Sequence, residues 1–289
     1  MSDTFKNTCD FLNKYSERIW NRIRLARRRK QRVSETTITE NLIFDFWCHG
    51  KEDSLAIEIY EAKDEASNGN DLEIYIETTK GFLMMVCQAK IIDKANKYAG
   101  LNHKVGSEYQ IDLLIKYGRK MGAMPFYLFY NYVDVFSMGE ALRQQTKYRS
   151  AQFGLTCCQA EYIKGNFYRA AVGDTTKTRV TKPKFSDLHP LFASPLAEKI
   201  EIFSNDYLAG MLDDIGNLFG ENPVKFYSRD QITNNNGWDD LLPYGKIGFV
   251  ETEKKQPVVK KATALEGFNP KYRILLVKEV QRHGLFRIS

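Results

Sequence analysis

The chain has 289 residues, 43% hydrophobic and 27% charged, with a net charge of +6. That balance supports one large or two modest domains with a sizeable core and excludes disordered and fibrous classes. No apolar run nears the roughly 20 residues that span a bilayer, and the N-terminal segment has no signal-like apolar stretch. The expectation is therefore a cytoplasmic protein with no membrane partner.

Residues 4–32 contain neither Pro nor Gly, and Phe5, Cys9, Leu12, Ile19, Ile23 and Ala26 recur at spacings of three, four or seven. That periodicity predicts an amphipathic helix. Positive charge concentrates on it: ten Lys/Arg against three acids in residues 1–33 give +7, which leaves −1 for the rest of the chain. A basic helix end either grips phosphates or forms a solvated face that complements the negative end of the dipole. Arg24, Arg27, Arg28, Arg29, Lys30 and Arg32 are the candidate nucleic-acid contacts. A second helix is expected from Ser34 through Trp47, with Thr37 and Glu40 at capping-box spacing and Glu35 as a first-turn acid.

Three strand-like runs follow at 55–60, 71–79 and 82–90, separated by the turn signals Ser67-Asn-Gly-Asn70 and Lys80-Gly81. Residues 107–119 predict a helix, with Ser107 and Gln110 at capping-box spacing, and 124–132 a buried strand. The order is helix, three-strand meander, helix, strand. Further on, 139–149 and 205–219 read as helical and 272–278 as a strand, while 171–190 and 221–262 are polar and turn-rich. The division expected is a basic helix (1–33), a core (34–170) and a mixed α+β extension without an assigned role (171–289). Five cysteines without a C-x-x-C pair, and four histidines without ligand spacing, argue against a disulfide scaffold or a zinc site. The adjacent Cys157 and Cys158 are read as core filler.

The hairpin between the second and third runs can be laid out on paper. If Lys80-Gly81 is a two-residue turn, Thr79 pairs with Phe82, Asp71 with Lys90 and Glu73 with Gln88. Alternation places those four polar residues on one face, opposite an apolar face that includes Leu72, Ile74, Met85 and Cys87. Two carboxylates, an amide and an amine at one end of a sheet suit a hard cation such as Mg²⁺ or Mn²⁺. Asp71 and the Gln88 oxygen are candidate ligands, with Glu73 a further option, and Lys90 would offset charge building on a phosphate. Glu35 or Glu40 from the preceding helix would complete the ring. The alternative on the same residues is a set of ordinary cross-strand polar pairs. Tyr98, Tyr109, Tyr127 and Tyr130 are either core aromatics or stacking surfaces for bases. His103 has no partner at a definable spacing and is assigned no role.

At these residues the sequence resembles the PD-(D/E)xK nuclease superfamily, the restriction-endonuclease-like fold. The motif's acid is matched by Asp71 and its (D/E/Q)-x-K by Gln88-Ala-Lys90, with sixteen residues between Asp71 and Gln88. The Gln-x-Lys form is similar to type IV restriction enzymes related to the methyl-DNA-specific endonucleases, in which a Gln on the following helix lies near the site. Gln110 stands at that position. The pattern Glu65-x-x-Asn-Gly-Asn-Asp71, Cys-Gln-Ala-Lys90, Lys97-Tyr98, Tyr109-Gln110 and Pro125-x-Tyr127-x-x-Tyr-Asn131 also resembles a bacterial family assigned to this superfamily, over roughly 34–170.

The resemblance implies an α/β fold with an αβββαβ core, a mixed sheet flanked by helices. It implies an Mg²⁺- or Mn²⁺-dependent endonuclease acting on nucleic acid, DNA before RNA, in bacterial antiviral defence or restriction. Its site would comprise Asp71, Gln88, Lys90, Gln110 and Glu35 or Glu40, and its partners would be a second copy or another defence protein. Two alternatives stay open: a non-catalytic nucleic-acid-binding or assembly subunit on a nuclease-like scaffold, and an enzyme that cuts RNA, such as transfer RNA.

Overall fold

The computed structural model describes residues 7–52, 57–62, 71–134, 138, 148–171, 174–190, 192–205, 224–233, 238–240 and 271–277. Helix α1 (Thr8–Arg28) starts where Asn7 accepts a hydrogen bond from the Asp10 amide at 2.8 Å. Its apolar stripe does not stand apart as a leading arm. Phe11, Leu12, Tyr15, Ile19 and Ile23 are buried in the main core. Ser16 fixes the contact: its Oγ donates to the Gln152 carbonyl at 2.6 Å and accepts from the Leu155 amide at 2.7 Å. Gly154 passes so close beneath the helix that any Cβ there would overlap the Ser16 carbonyl.

Helix α2 (Glu35–Glu52) is capped by Ser34, whose Oγ accepts from the Thr37 amide at 3.1 Å. The expected box between Thr37 and Glu40 is therefore displaced by one turn. The next strands are β1 (Ile57–Ala62), β2 (Asp71–Thr78) and β3 (Gly81–Ile91). After the short hairpin β4 (Lys104–Val105) and β5 (Glu108–Tyr109) come α3 (Gln110–Met121) and β6 (Met124–Tyr130). Beyond them lie β7 (Leu155–Gln159), α4 (Ala160–Phe167), β8 (Tyr168–Ala171), β9 (Asp174–Val180), β10 (Ala193–Pro195) and α5 (Leu196–Ser204). Last are β11 (Phe226–Tyr227), β12 (Trp238–Asp240) and β13 (Tyr272–Leu276). The helices expected at 139–149 and 205–219 fall almost wholly outside the described residues.

Nine strands form one mixed sheet in the order β10-β7-β6-β3-β2-β13-β1-β12, with β11 pairing β3. Helices α1, α2 and α5 pack on one face and α3 and α4 on the other. The fold is thus α/β with a central sheet flanked by helices. The expected meander is corrected in one respect: β1 does not touch β2. Strand β13, parallel to β2 and antiparallel to β1, lies between them. All five of its residues are buried, which is the composition of a central strand. The segment after residue 170 also supplies β10, β11 and β12, so it is woven into the same sheet. The turn-rich stretch after 171 contains β9, paired with β8 in a separate hairpin.

The β2–β3 register also departs from expectation. Thr78 pairs with Gly81, Asp71 with Gln88 and Glu73 with Val86, so the turn is Thr79-Lys80. Gly81 has φ of +121°, which suits glycine and lets it close the ladder. Thr78 Oγ1 braces the turn by donating to the Gly81 carbonyl at 2.7 Å and accepting from the Lys80 amide at 3.1 Å. A shift of two residues preserves the faces, so Leu72, Ile74, Ile76, Leu83, Met85 and Cys87 still share one core. Cys157 and Cys158 lie in β7 on opposite faces of the sheet, and burial pushes the Cys157 thiol up to about 12.

Glu73 and Arg273 are direct register partners across β2 and β13. Glu73 is fully buried, and its carboxylate accepts from Arg273 Nε at 2.7 Å, Tyr117 Oη at 2.6 Å and Tyr75 Oη at 3.2 Å. Arg273 Nη1 also donates to the Ile232 carbonyl at 2.6 Å. Breaking such a pair leaves a buried charge uncompensated. Glu73→Ala is expected to cost about 3–5 kcal/mol of stability, read by chemical denaturation. A loss below about 1 kcal/mol would mean that the pair does not hold β13 in the sheet.

Candidate active site

The site-forming residues gather at the carboxyl end of β3, where the parallel strands β3 and β6 flank the connection through α3. Such strand ends are common ligand sites in open α/β sheets. Alternation along β3 sends Cys87 and Ala89 into the core under α1 and α2 and turns Gln88 and Lys90 the other way. Lys90 is only 5% exposed and Gln88 is fully buried. A lysine so buried needs partners, because desolvating an unpaired ammonium is costly.

Two helix N-termini supply them. Lys90 Nζ donates to Gln110 Oε1 at 3.1 Å and lies 4.0 Å from Glu35 Oε2. Glu35 is the first residue of α2, and its other oxygen accepts from the Ile91 amide at 2.9 Å, which ties the helix to the strand. Gln110 is the first residue of α3. Lysine has only donors, so the amide of Gln110 must turn its oxygen inward. The capping role expected from Ser107 does not form. Tyr109 stands at the cap position without a side-chain cap bond, because Gly106-Ser107 is the turn of the β4–β5 hairpin.

The chain then closes over Lys90. In the 3-10 turn Ala99–Asn102, Gly100 passes where a Cβ would meet Lys90 Cδ at 3.1 Å and Glu35 Oε1 at 3.8 Å. His103 follows, its carbonyl accepting from the Gln110 amide at 3.0 Å and its Nδ1 lying 3.4 Å from Gln110 Oε1. Sequence reasoning gave no role to Gly100 or His103. Their signal is the sharp turn between β3 and α3, which spacing rules do not reveal. Tyr98 is core: it stacks on Phe129 at 3.9 Å and donates to Asn131 Oδ1 at 2.6 Å. Tyr127 and Tyr130 are buried as well, whereas Tyr109 is half-exposed.

The other expected site residues divide clearly. Asp71 opens β2 with its Cα opposite Gln88, and its side chain lies outside the described residues. Glu40 is half exposed and pairs with Lys271 at 3.4 Å, so Glu35 is the helix acid near Lys90. Glu73 is a correction: its carboxylate is enclosed by Arg273, Tyr117 and Tyr75 and is not part of the cluster. Arg27 is another. It donates to the Asp93 carbonyl at 2.5 Å and to Asn96 Oδ1 at 3.0 Å, and burial lowers its pKa, so it is a latch between α1 and the loop after β3. Arg24 is half-buried, while Arg28, Arg29, Lys30 and Arg32 are exposed.

A cleft of about 500 Å³ runs from this basic turn to the cluster, lined by Lys30, Arg32, Lys94, Glu35 and Gly100 among others. Among the described residues no three His, Cys, Asp or Glu side chains group closely enough to hold a metal. The donors present, the Glu35 carboxylate and the Gln88 and Gln110 carboxamides, are all oxygen, which fits Mg²⁺ or Mn²⁺ and not a zinc centre. Glu35 and Lys90 cancel in charge within this cluster.

The fold and cluster define an α/β protein with a buried lysine at a strand end. Residues 8–265 match a family model described as a family of unknown function, DUF6615, and the chain belongs to that family. No curated protein and no solved structure matches the chain. No helix among the described residues is long and apolar enough to cross a membrane.

If Gln110 holds the ammonium, Gln110→Leu removes a hydrogen bond to a charged group. It should lower stability by about 1.5–3 kcal/mol, measured by chemical denaturation. Unchanged stability would show that Lys90 does not rely on this contact.

Proposed function

We propose that the chain is a metal-dependent endonuclease of the PD-(D/E)xK type that cuts DNA, in a bacterial defence or restriction setting. The observation that carries this reading is the Lys90 ammonium, nearly buried at the end of β3 beside Gln88 and gripped by Glu35 and Gln110. A purely structural surface does not need a cation buried beside a basic cleft. Asp71, Gln88 and Glu35 would hold Mg²⁺ or Mn²⁺, which when bound polarises the scissile phosphate and lowers the pKa of a water.

The chain's own residues do the rest. Lys90 lies behind Glu35 and Gly100, which line the cleft, and its charge would offset the negative charge that grows on the phosphate oxygens in the transition state. Gln110 and Glu35 keep that ammonium in one place, so little reorganisation is needed at the moment of reaction. Lys30, Arg32 and Lys94 along the cleft favour entry of a polyanion.

The test is incubation with supercoiled plasmid, linear duplex, single-stranded DNA and RNA, in Mg²⁺ or Mn²⁺ with an EDTA control. Metal-dependent cutting of DNA is expected, with Lys90→Ala slower by about 10²–10³ and Asp71→Ala inactive, both folded by circular dichroism. Cutting by Lys90→Ala at the parent rate contradicts the assignment. Salt-sensitive binding without any cutting would favour a non-catalytic nucleic-acid-binding subunit.

A further inference from the structure

The β8–β9 hairpin carries a like-charge conflict. Arg169 and Arg179 are direct register partners, both exposed, so their guanidinium groups leave the same face of a two-stranded ribbon side by side. Like charges opposite one another destabilise a sheet, and a lone two-stranded hairpin has little stability to spare. A second such pair lies in the continuation of the same segment, where Lys97 and Lys184 form an antiparallel bridge. Among the described residues none of these four side chains forms an ion pair. Two nearby acids are turned to the backbone: Asp93 Oδ1 accepts from the Ala95 and Lys97 amides at 2.8 and 2.9 Å, and Asp187 Oδ2 from the Lys184 amide at 2.8 Å.

The hairpin is anchored against the candidate site. Tyr168 donates to the Leu101 carbonyl in the turn that covers Lys90, and Tyr109, next to Gln110, donates to the Thr178 carbonyl at 3.2 Å. The segment that follows it reaches the loop latched to the basic end of α1. The Tyr98 amide donates to the Pro183 carbonyl at 3.0 Å, the Phe185 amide to the Asn96 carbonyl at 3.2 Å, and Asn96 receives Arg27. The basic turn of α1, the loop after β3, the Pro183 segment and the β8–β9 hairpin are therefore one continuous stretch of contacts bordering the site.

We infer that the β8–β9 hairpin is a second phosphate-binding surface, on which a DNA backbone bridges the opposed Arg169 and Arg179 while the same duplex continues toward the α1 turn. An anion seated between the two arginines turns their repulsion into binding, and a polyphosphate backbone is the anion that also suits Lys97, Lys184 and the α1 cations. The inference rests on the nuclease reading for the occupant of the cleft, but not for the chemistry at Lys90.

The experiment measures equilibrium binding of the full chain to a 30-base-pair duplex in EDTA by fluorescence anisotropy, over a salt series, for the parent and Arg169→Gln/Arg179→Gln. The substituted residues lie outside the proposed catalytic cluster. If both arginines contact phosphates, the slope of log K against log salt falls by about 1.8 and duplex binding weakens at every salt. The variant's melting temperature stays level or rises, because the repulsion is gone. An unchanged slope with an intact fold overturns the inference, and so does a slope that changes only for an RNA of the same length. Metal-dependent cutting lost in Lys90→Ala alongside an unchanged Arg169/Arg179 slope would leave the nuclease reading standing without the hairpin. A reduced slope in a protein that cuts nothing would do the reverse.

Discussion

A lysine ammonium that is 5% exposed at the end of a central strand is the constraint around which the rest is arranged. Burial of that charge is tolerable only with partners in fixed places. Two helices begin at the right spots to provide them, α2 at Glu35 and α3 at Gln110. The intervening turn must lie close, and Gly100 allows it. Because β3 pairs with β2 on one side and β6 on the other, any displacement of the sheet's middle moves the ammonium relative to both helices. The basic cleft is lined by Glu35 and Gly100, both of which lie against this lysine.

The middle of the sheet depends in turn on a strand from far along the chain. β13 is parallel to β2, and Arg273 and Glu73 stand directly opposite each other in that pairing. The ion pair therefore fixes register as well as adding energy, since a one-residue slip would send every side chain of β13 to the wrong face. Tyr75 and Tyr117 complete the shell, and the latter brings α3 into the same network. Asp71 lies two residues before Glu73 on β2, so the strand that carries the candidate acid is held from both edges.

Much of the N-terminal half was legible because its signals are local. The period of α1 and the alternation of β2 and β3 both follow from neighbouring residues. Parity arguments tolerated a wrong turn: the register was off by two, yet the faces came out right, because side-chain direction depends only on odd or even position. What was not legible is non-local. Glu73 and Gln88 look alike on one face until Arg273, two hundred residues away, claims the former. Arg27 reads as one more arginine in a basic run, and only the loop after β3 turns it into a latch. Glu35 and Glu40 differ by five residues on one helix, and the sequence alone had no means to say which faces the sheet end. The apolar run at 272–278 predicts the strand β13, but its insertion between β1 and β2 depends on a pairing that no local pattern specifies.

The charge balance of the cluster makes the account easy to put at risk. Glu35 and Lys90 neutralise each other and Gln88 and Gln110 are neutral, so on the proposed reading affinity for a divalent cation would rest on Asp71. The most direct measurement is Mn²⁺ binding to the full chain by isothermal titration calorimetry, comparing the parent with Asp71→Asn. The account predicts saturable binding in the parent that is lost in Asp71→Asn while the fold persists. Equal binding by both proteins, or none by the parent even with duplex DNA present, would contradict it.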